Sequence, residues 1–120
     1  MADKITVALI YDFDGTLAPG NMQEYDFIPA VGKSNMEFWH EANTLAEEQD
    51  ADQVLTYMAR MIQAAQSNGL SLRREAFRES GRNVKFYAGV EEWFKRINEY
   101  GEKRGVNILH YVNSSGLKEI

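Results

Sequence analysis

Ile5-Thr6-Val7-Ala8-Leu9-Ile10-Tyr11-Asp12-Phe13-Asp14-Gly15-Thr16-Leu17 is an apolar run that ends abruptly in two aspartates, a glycine and a threonine. The run is too short for a buried helix and rich in β-branched residues, so residues 5–13 read as a strand buried on both faces, as in a parallel sheet. Alternate side chains of an extended chain share a side, which points Asp12 and Asp14 one way and Phe13 the other. Gly15 lets the backbone turn, because it has no Cβ to obstruct unusual dihedrals. Two carboxylates so close together repel, and a hard cation such as Mg²⁺ relieves the repulsion. The tip of the strand therefore reads as a metal-assisted site. A calcium-binding loop counted from Asp12 would need Gly at its sixth position and Glu at its twelfth, where this chain has Leu17 and Gln23.

A second run of the same kind lies near the other end. Val106-Asn107-Ile108-Leu109-His110-Tyr111-Val112 reads as a strand that ends in Asn113-Ser114-Ser115-Gly116. Before it, Gly89 opens a helix whose apolar residues Val90, Trp93, Phe94, Ile97 and Tyr100 stand three or four apart, and Gly101 and Gly105 end it. A strand, a helical crossover and a strand make a parallel pair. In open parallel sheets ligands bind beyond the carboxyl ends of the strands, so residues 12–16 and 114–116 converge on one place. Leu117–Ile120 read as the first turn of a further helix.

Between the two runs the chain reads as helical. Ala18-Pro19-Gly20-Asn21 is a turn cluster, and residues 22–33 form a loop with a short helix. Ser34 followed by Glu37 matches a capping box and starts a helix over 35–48, with Met36, Trp39, His40 and Asn43 to Leu45 along one face. Asp50 or Asp52 caps the next helix, in which Val54, Met58, Met61, Ile62 and Ala65 recur until Asn68-Gly69 stops it. Ser71 starts a third, shorter helix that ends near Gly81. Arg73, Arg74 and Arg78 form a basic cluster on it, either a solvated face or a surface that meets an anionic ligand. Tyr25, Phe27 and Lys33 are candidate specificity positions by location alone. His40 and His110 have no metal-ligand spacing and read as structural.

Composition fits one globular domain: 120 residues, of which 44% are hydrophobic, 12% aromatic and 26% charged. The net charge of −5, with acidic and basic residues interspersed, excludes the basic stripe of a nucleic-acid binder. The absence of cysteine fits a reducing compartment, and the apolar start is too short for a signal peptide or a membrane span, so the expected location is cytoplasmic. Asn113-Ser114-Ser115 matches a glycosylation sequon, here read as accidental.

Asp-Phe-Asp-Gly-Thr-Leu at 12–17, after an apolar strand, resembles the first motif of the haloacid dehalogenase (HAD) superfamily. Val112-Asn113-Ser114-Ser115-Gly116 resembles the second, and the helical stretch between them resembles the cap that many HAD phosphatases insert there. The resemblance implies an α/β fold: an incomplete Rossmann-like HAD core of two parallel strands, residues 1–20 and 82–120, with a helical cap inserted over residues 21–81. It makes Asp12 the nucleophile that forms an aspartyl-phosphate and Asp14 the general acid and base. Mg²⁺ then binds the Asp12 carboxylate and the Asp14 backbone carbonyl, while Ser114 and backbone amides near Gly15 and Gly116 hold the phosphoryl group. Thr16 holds the loop, and Ser115, taken singly, is ordinary loop chemistry beside that site. Asp14 argues for phosphoryl transfer over dehalogenation, so the expected substrate is a small phosphorylated metabolite, with neither nucleic acid nor membrane as partner.

The family's third and fourth motifs, which supply a lysine and further acidic ligands, would lie after residue 120. The chain is accordingly read as the amino-terminal half of a larger protein or one piece of a split or swapped assembly, with self-association to cover the incomplete sheet. The competing reading is a non-catalytic fragment or half-domain that only folds or assembles with a partner.

Overall fold

Strand β1 (Ile5–Tyr11) pairs in parallel with β2 (Val106–Val112), from Ile5 opposite Val106 to Tyr11 opposite Val112. The computed structural model describes residues 3–120. Between the strands, among the described residues, lie a single 3₁₀ turn (Met22–Glu24) and five helices, α1 (Phe27–Ala30), α2 (Asn35–Glu48), α3 (Gln53–Ser67), α4 (Arg74–Ser80) and α5 (Val90–Glu102). The protein is thus mixed α/β with a two-stranded parallel sheet. It divides into two compact units, one of residues 1–21 and 85–116, the other of residues 22–84 and 117–120.

The strand-bearing unit holds β1, α5 and β2. The register gives one face to Ile5, Val7, Leu9 and Tyr11 with Val106, Ile108, His110 and Val112, and the other to Thr6, Ala8, Ile10 with Asn107, Leu109 and Tyr111. The expectation of a strand buried on both faces fails: most of β1 is exposed, with Ile5 at 68% and Ile10 at 67%. One 13-residue crossover helix covers one face at most, so Ile10, Leu109 and Tyr111 have nothing across them within this unit. β1 also ends at Tyr11, two residues before the expected limit, so Asp12 opens the loop.

Helix α5 starts after Gly89, whose φ of 87° is the left-handed region that glycine enters freely. Helix α5 ends at Glu102, between Gly101 and Gly105, the two glycines expected to end it. Gly101 also serves packing. Gly101 is buried, and a Cβ there would meet Ile108 Cγ1 at 2.8 Å and the Val106 carbonyl oxygen at 3.0 Å, so the missing side chain lets the helix approach β2. Gly105, with φ of 70°, makes the turn into β2.

The helical unit is built around Phe27, Ile28 and Val31, Phe38 and Ala42 of α2, and Tyr57, Met61, Ala64 and Ala65 of α3. Helix α2 begins where the capping box predicts: Glu37 N donates to Ser34 Oγ at 3.1 Å and Ser34 N donates to the Glu37 carboxylate at 3.0 Å. Its buried stripe is Phe38, Ala42 and Ala46, whereas Met36 is 83% exposed, so the expected face is off by about half a turn at its start. Asp52, not Asp50, caps α3 by accepting from Leu55 N at 2.9 Å, and Asp50 takes a positive φ of 48° in the connection.

Helix α4 starts at Arg74 and not at Ser71. Ser71 Oγ accepts from Arg73 N at 3.2 Å, a local turn that competes with helix. Leu117–Ile120 form a hydrogen-bonded turn and not the expected helical start, with Ile120 N donating to Leu117 O at 3.2 Å. This turn belongs to the helical unit: Leu117 N reaches Met22 Sδ at 3.2 Å, and Gly81 lies directly against the Ile120 carbonyl, where a Cβ has no room.

Candidate active site

Both strands run the same way and end level, so the loops that leave Tyr11 and Val112 start side by side. Asn113 N donates to Tyr11 O at 2.8 Å and extends the pairing by one bond into the second loop. Asp12, Asp14, Gly15 and Thr16 therefore issue from the same sheet end as Ser114, Ser115 and Gly116, all within the strand-bearing unit.

The first loop is tightly wound. Thr16 N, Leu17 N and Ala18 N all approach the Phe13 carbonyl, at 3.1, 3.0 and 3.3 Å, and Gly15 N donates to Ala18 O at 2.7 Å. Gly15 has φ of 75°, in the left-handed region that its lack of a Cβ opens. Leu17 and Ala18 are buried and anchor the turn, Thr16 is exposed, and Tyr87 N donates to Leu17 O at 3.0 Å. Asp12 is exposed, and its Oδ1 accepts from Phe13 N at 2.8 Å, while Asp14 is half-buried. In the second loop Ser114 Oγ accepts from Gly116 N at 3.0 Å, which leaves the Ser114 hydroxyl hydrogen to donate elsewhere.

The amides of Gly15 and Gly116 are thus engaged inside their own loops, Gly15 with Ala18 and Gly116 with Ser114. They shape the loops; the hydroxyl hydrogen of Ser114 and the exposed carboxylate of Asp12 are the groups presented. Carboxylate and carbonyl oxygens are the hard donors Mg²⁺ takes, and it commonly binds through one or two carboxylates with water completing its shell, so this donor set fits Mg²⁺. Among the described residues no three His, Cys, Asp or Glu side chains gather as a metal cluster.

Behind the loop stands a polar network that the motifs did not flag. Trp93 Nε1 donates to Tyr11 Oη at 2.9 Å, and Tyr11 Oη lies 2.8 Å from His110 Nδ1. Asn98 Oδ1 only accepts and lies 2.7 Å from His110 Nε2, so in a neutral imidazole the proton sits on Nε2 and the Tyr11 hydroxyl donates to Nδ1. Phe94 meets both Tyr11 and His110 edge-on. The chain Trp93, Tyr11, His110, Asn98 ties α5 to both strands at the residue preceding Asp12. Its signal in the sequence was a polar-tipped aromatic ending a strand, with a histidine near the end of its partner. His110 is structural here, as expected; His40 is exposed on α2. Of the specificity candidates, Phe27 is a core residue stacked on Phe77, and Lys33 is paired with Glu41 at 2.7 Å.

No family model matches the chain, and no solved structure matches it. It is similar to an uncharacterized protein of Borreliella burgdorferi, 32% identical over 126 residues that take in 95% of this chain and 43% of that protein. The chain spans less than half the length of this curated relative. No helix among the described residues is long and apolar enough to cross a membrane.

Proposed function

We propose that the strand-bearing unit carries the phosphoryl-transfer site of a Mg²⁺-dependent phosphohydrolase of the HAD type, acting on a small phosphorylated metabolite. The observation that carries the reading is the level parallel register, which sets the Asp12–Thr16 loop beside the Ser114 loop at the carboxyl end of the sheet. Asp12 attacks phosphorus through a carboxylate oxygen, Oδ2 being the one the Phe13 amide leaves unengaged. The bond from phosphorus to the leaving oxygen breaks, and Asp14 gives that oxygen its proton. Water then passes a proton to Asp14 and attacks phosphorus, which releases inorganic phosphate and restores the Asp12 carboxylate. Ser114 donates its hydroxyl hydrogen to a phosphoryl oxygen. The Asp12 carboxylate and the Asp14 backbone carbonyl would hold Mg²⁺, which would supply the charge neutralisation that lets a carboxylate approach a phosphate.

The open sheet face favours a second reading, a half-domain that acts only when assembled with a partner or with itself. Ile10, Leu109 and Tyr111 present an apolar face of the kind that proteins ordinarily cover. One assay separates the two. Hydrolysis of p-nitrophenyl phosphate with Mg²⁺ is measured for the chain and for Asp12→Asn and Asp14→Asn, each checked for native circular dichroism. The phosphatase reading expects a Mg²⁺-dependent rate that falls at least a hundredfold in Asp12→Asn, the scale typical of removing a nucleophile. Equal rates in all three, including zero, would leave the assembly reading in possession.

A further inference from the structure

The helical unit contains a cavity of about 440 Å³ between α3, α4 and the terminal turn 117–120. Its walls are Met58, Met61, Ile62, Leu72, Phe77 and Leu117. That volume lies within the usual range for small-molecule sites, which are concave and mostly apolar with few polar groups. Met61 is only 2% exposed and roots the floor in the core, whereas Ile62 and Leu72 at the mouth keep 47% and 38% of their surface exposed. Apolar surface around a hollow is free energy that an apolar ligand recovers by displacing water. Two thioethers in the wall, Met58 and Met61, adapt their shape to what enters.

The two polar lining residues, Arg74 and Glu119, give the ligand a polarity. Arg74 Nε lies 3.7 Å from Glu119 Oε1, an ion pair longer than a hydrogen bond, and no other partner of Arg74 is described. Both of its terminal nitrogens therefore remain to receive two oxygens of an anion in the forked geometry that guanidinium favours. Arg73 and Glu75 flank Arg74 in sequence and Lys118 precedes Glu119, but of the charged residues here only Arg74 and Glu119 line the cavity, and Glu79 pairs with Arg82 at 3.1 Å.

From this combination we propose that the helical unit binds a small amphiphilic anion, its aliphatic or aryl body among Met58, Met61, Phe77 and Leu117 and its carboxylate or phosphate head on Arg74. The proposal is independent of the Asp12 site and stands whether or not that site turns over.

Decanoate, decyl phosphate and decylamine share a body and differ in head, and ¹³C-methyl-methionine NMR reads the site directly. Decanoate or decyl phosphate shifts the Met58 and Met61 methyls saturably and leaves Met36, which is 83% exposed, in place. Decylamine binds roughly three- to fivefold more weakly, the worth of one solvent-exposed ion pair. Arg74→Gln, a change at an exposed side chain, abolishes that preference and keeps the methyl shifts, and Leu72→Trp, which narrows the mouth, abolishes the shifts. Binding of one anionic head and not the other narrows the ligand class and upholds the proposal. It is overturned if the Met58 and Met61 methyls stay still below the concentration at which the amphiphiles aggregate, if Met36 moves equally, or if decylamine binds as well as both anions.

Discussion

Gly101→Ala tests whether close packing against β2, beyond its place at the end of α5, requires a glycine at this position. In an exposed helix interior this change is stabilising by about 1 kcal/mol, because alanine is the better helix former. At Gly101 the new methyl would meet Ile108 Cγ1 at 2.8 Å, Ile108 Cδ1 at 3.2 Å and the Val106 carbonyl oxygen at 3.0 Å. Ile108 can turn away at a cost of roughly 0.5–1.5 kcal/mol, but the carbonyl belongs to the β2 backbone and moves only with the strand. Overpacking of this kind typically costs about 1–3 kcal/mol, so it outweighs the propensity gain and leaves a net destabilisation of about 1 kcal/mol. Urea unfolding followed by Trp93 fluorescence in a Trp39→Phe background reads the strand-bearing unit alone. Ile108→Ala removes two of the three clashing atoms, so it should cost less in the Gly101→Ala protein than in the parent. A raised urea midpoint for Gly101→Ala, or strictly additive costs in the double variant, would refute the reasoning.

Two further outcomes are expected. Glu41 accepts from Lys33 Nζ and Arg60 Nη2 at 2.7 Å each, and the Lys33 hydrogen bond foremost, with Arg60, holds its carboxyl below the ordinary glutamate value against the opposing effect of burial. Its stabilising contribution is therefore complete above the unfolded value of about 4.3 and lost as pH falls through the lower folded value, with an amplitude of order 0.2–1 kcal/mol for partly exposed pairs. Glu41→Gln should show a smaller drop in urea midpoint on acidification, read at Trp39, and an unchanged drop would contradict the assignment. Tyr11→Phe keeps the ring contacts but strips Trp93 Nε1 and His110 Nδ1 of their partner, at a cost of about 1–2 kcal/mol in the same urea assay; a cost near zero would show that water substitutes for the hydroxyl.

What was legible in the sequence was whatever a few neighbouring residues decide. Ser34 and Glu37 fix the start of α2 because each satisfies the other's backbone amide, and Asp52 fixes α3 in the same way. The span 106–112 of β2 follows from its own composition. Burial is different in kind, since it depends on partners far along the chain. The stripe Phe38, Ala42, Ala46 is buried because α1 and α3 lie on that side, and the small alanines, not Met36, permit the approach. Gly101 reads as a helix stop, and its second role, the close approach of β2, is set by residues beyond it in the chain. In the site, the departure of the Asp12 and Ser114 loops from one end of the sheet was legible because parallel strands end together. The engagement of the Gly15 and Gly116 amides depended on turn hydrogen bonds that no motif encodes, and the Tyr11 network on three elements meeting.

The two ends of the sheet are held by different means. At the amino end Ile5 is 68% exposed, and the close contact is the buried Gly101 of α5 against Val106 and Ile108. At the carboxyl end the strand is fixed by directional bonds: Trp93 and His110 on the Tyr11 hydroxyl, Asn113 on the Tyr11 carbonyl, and Tyr87 on the loop that follows. Directional bonds set position more sharply than apolar contact does, and a nucleophile must be held to within a fraction of an ångström. Tyr11, the residue before Asp12, is thus held by three hydrogen bonds, where the proposed phosphoryl transfer would need a fixed position.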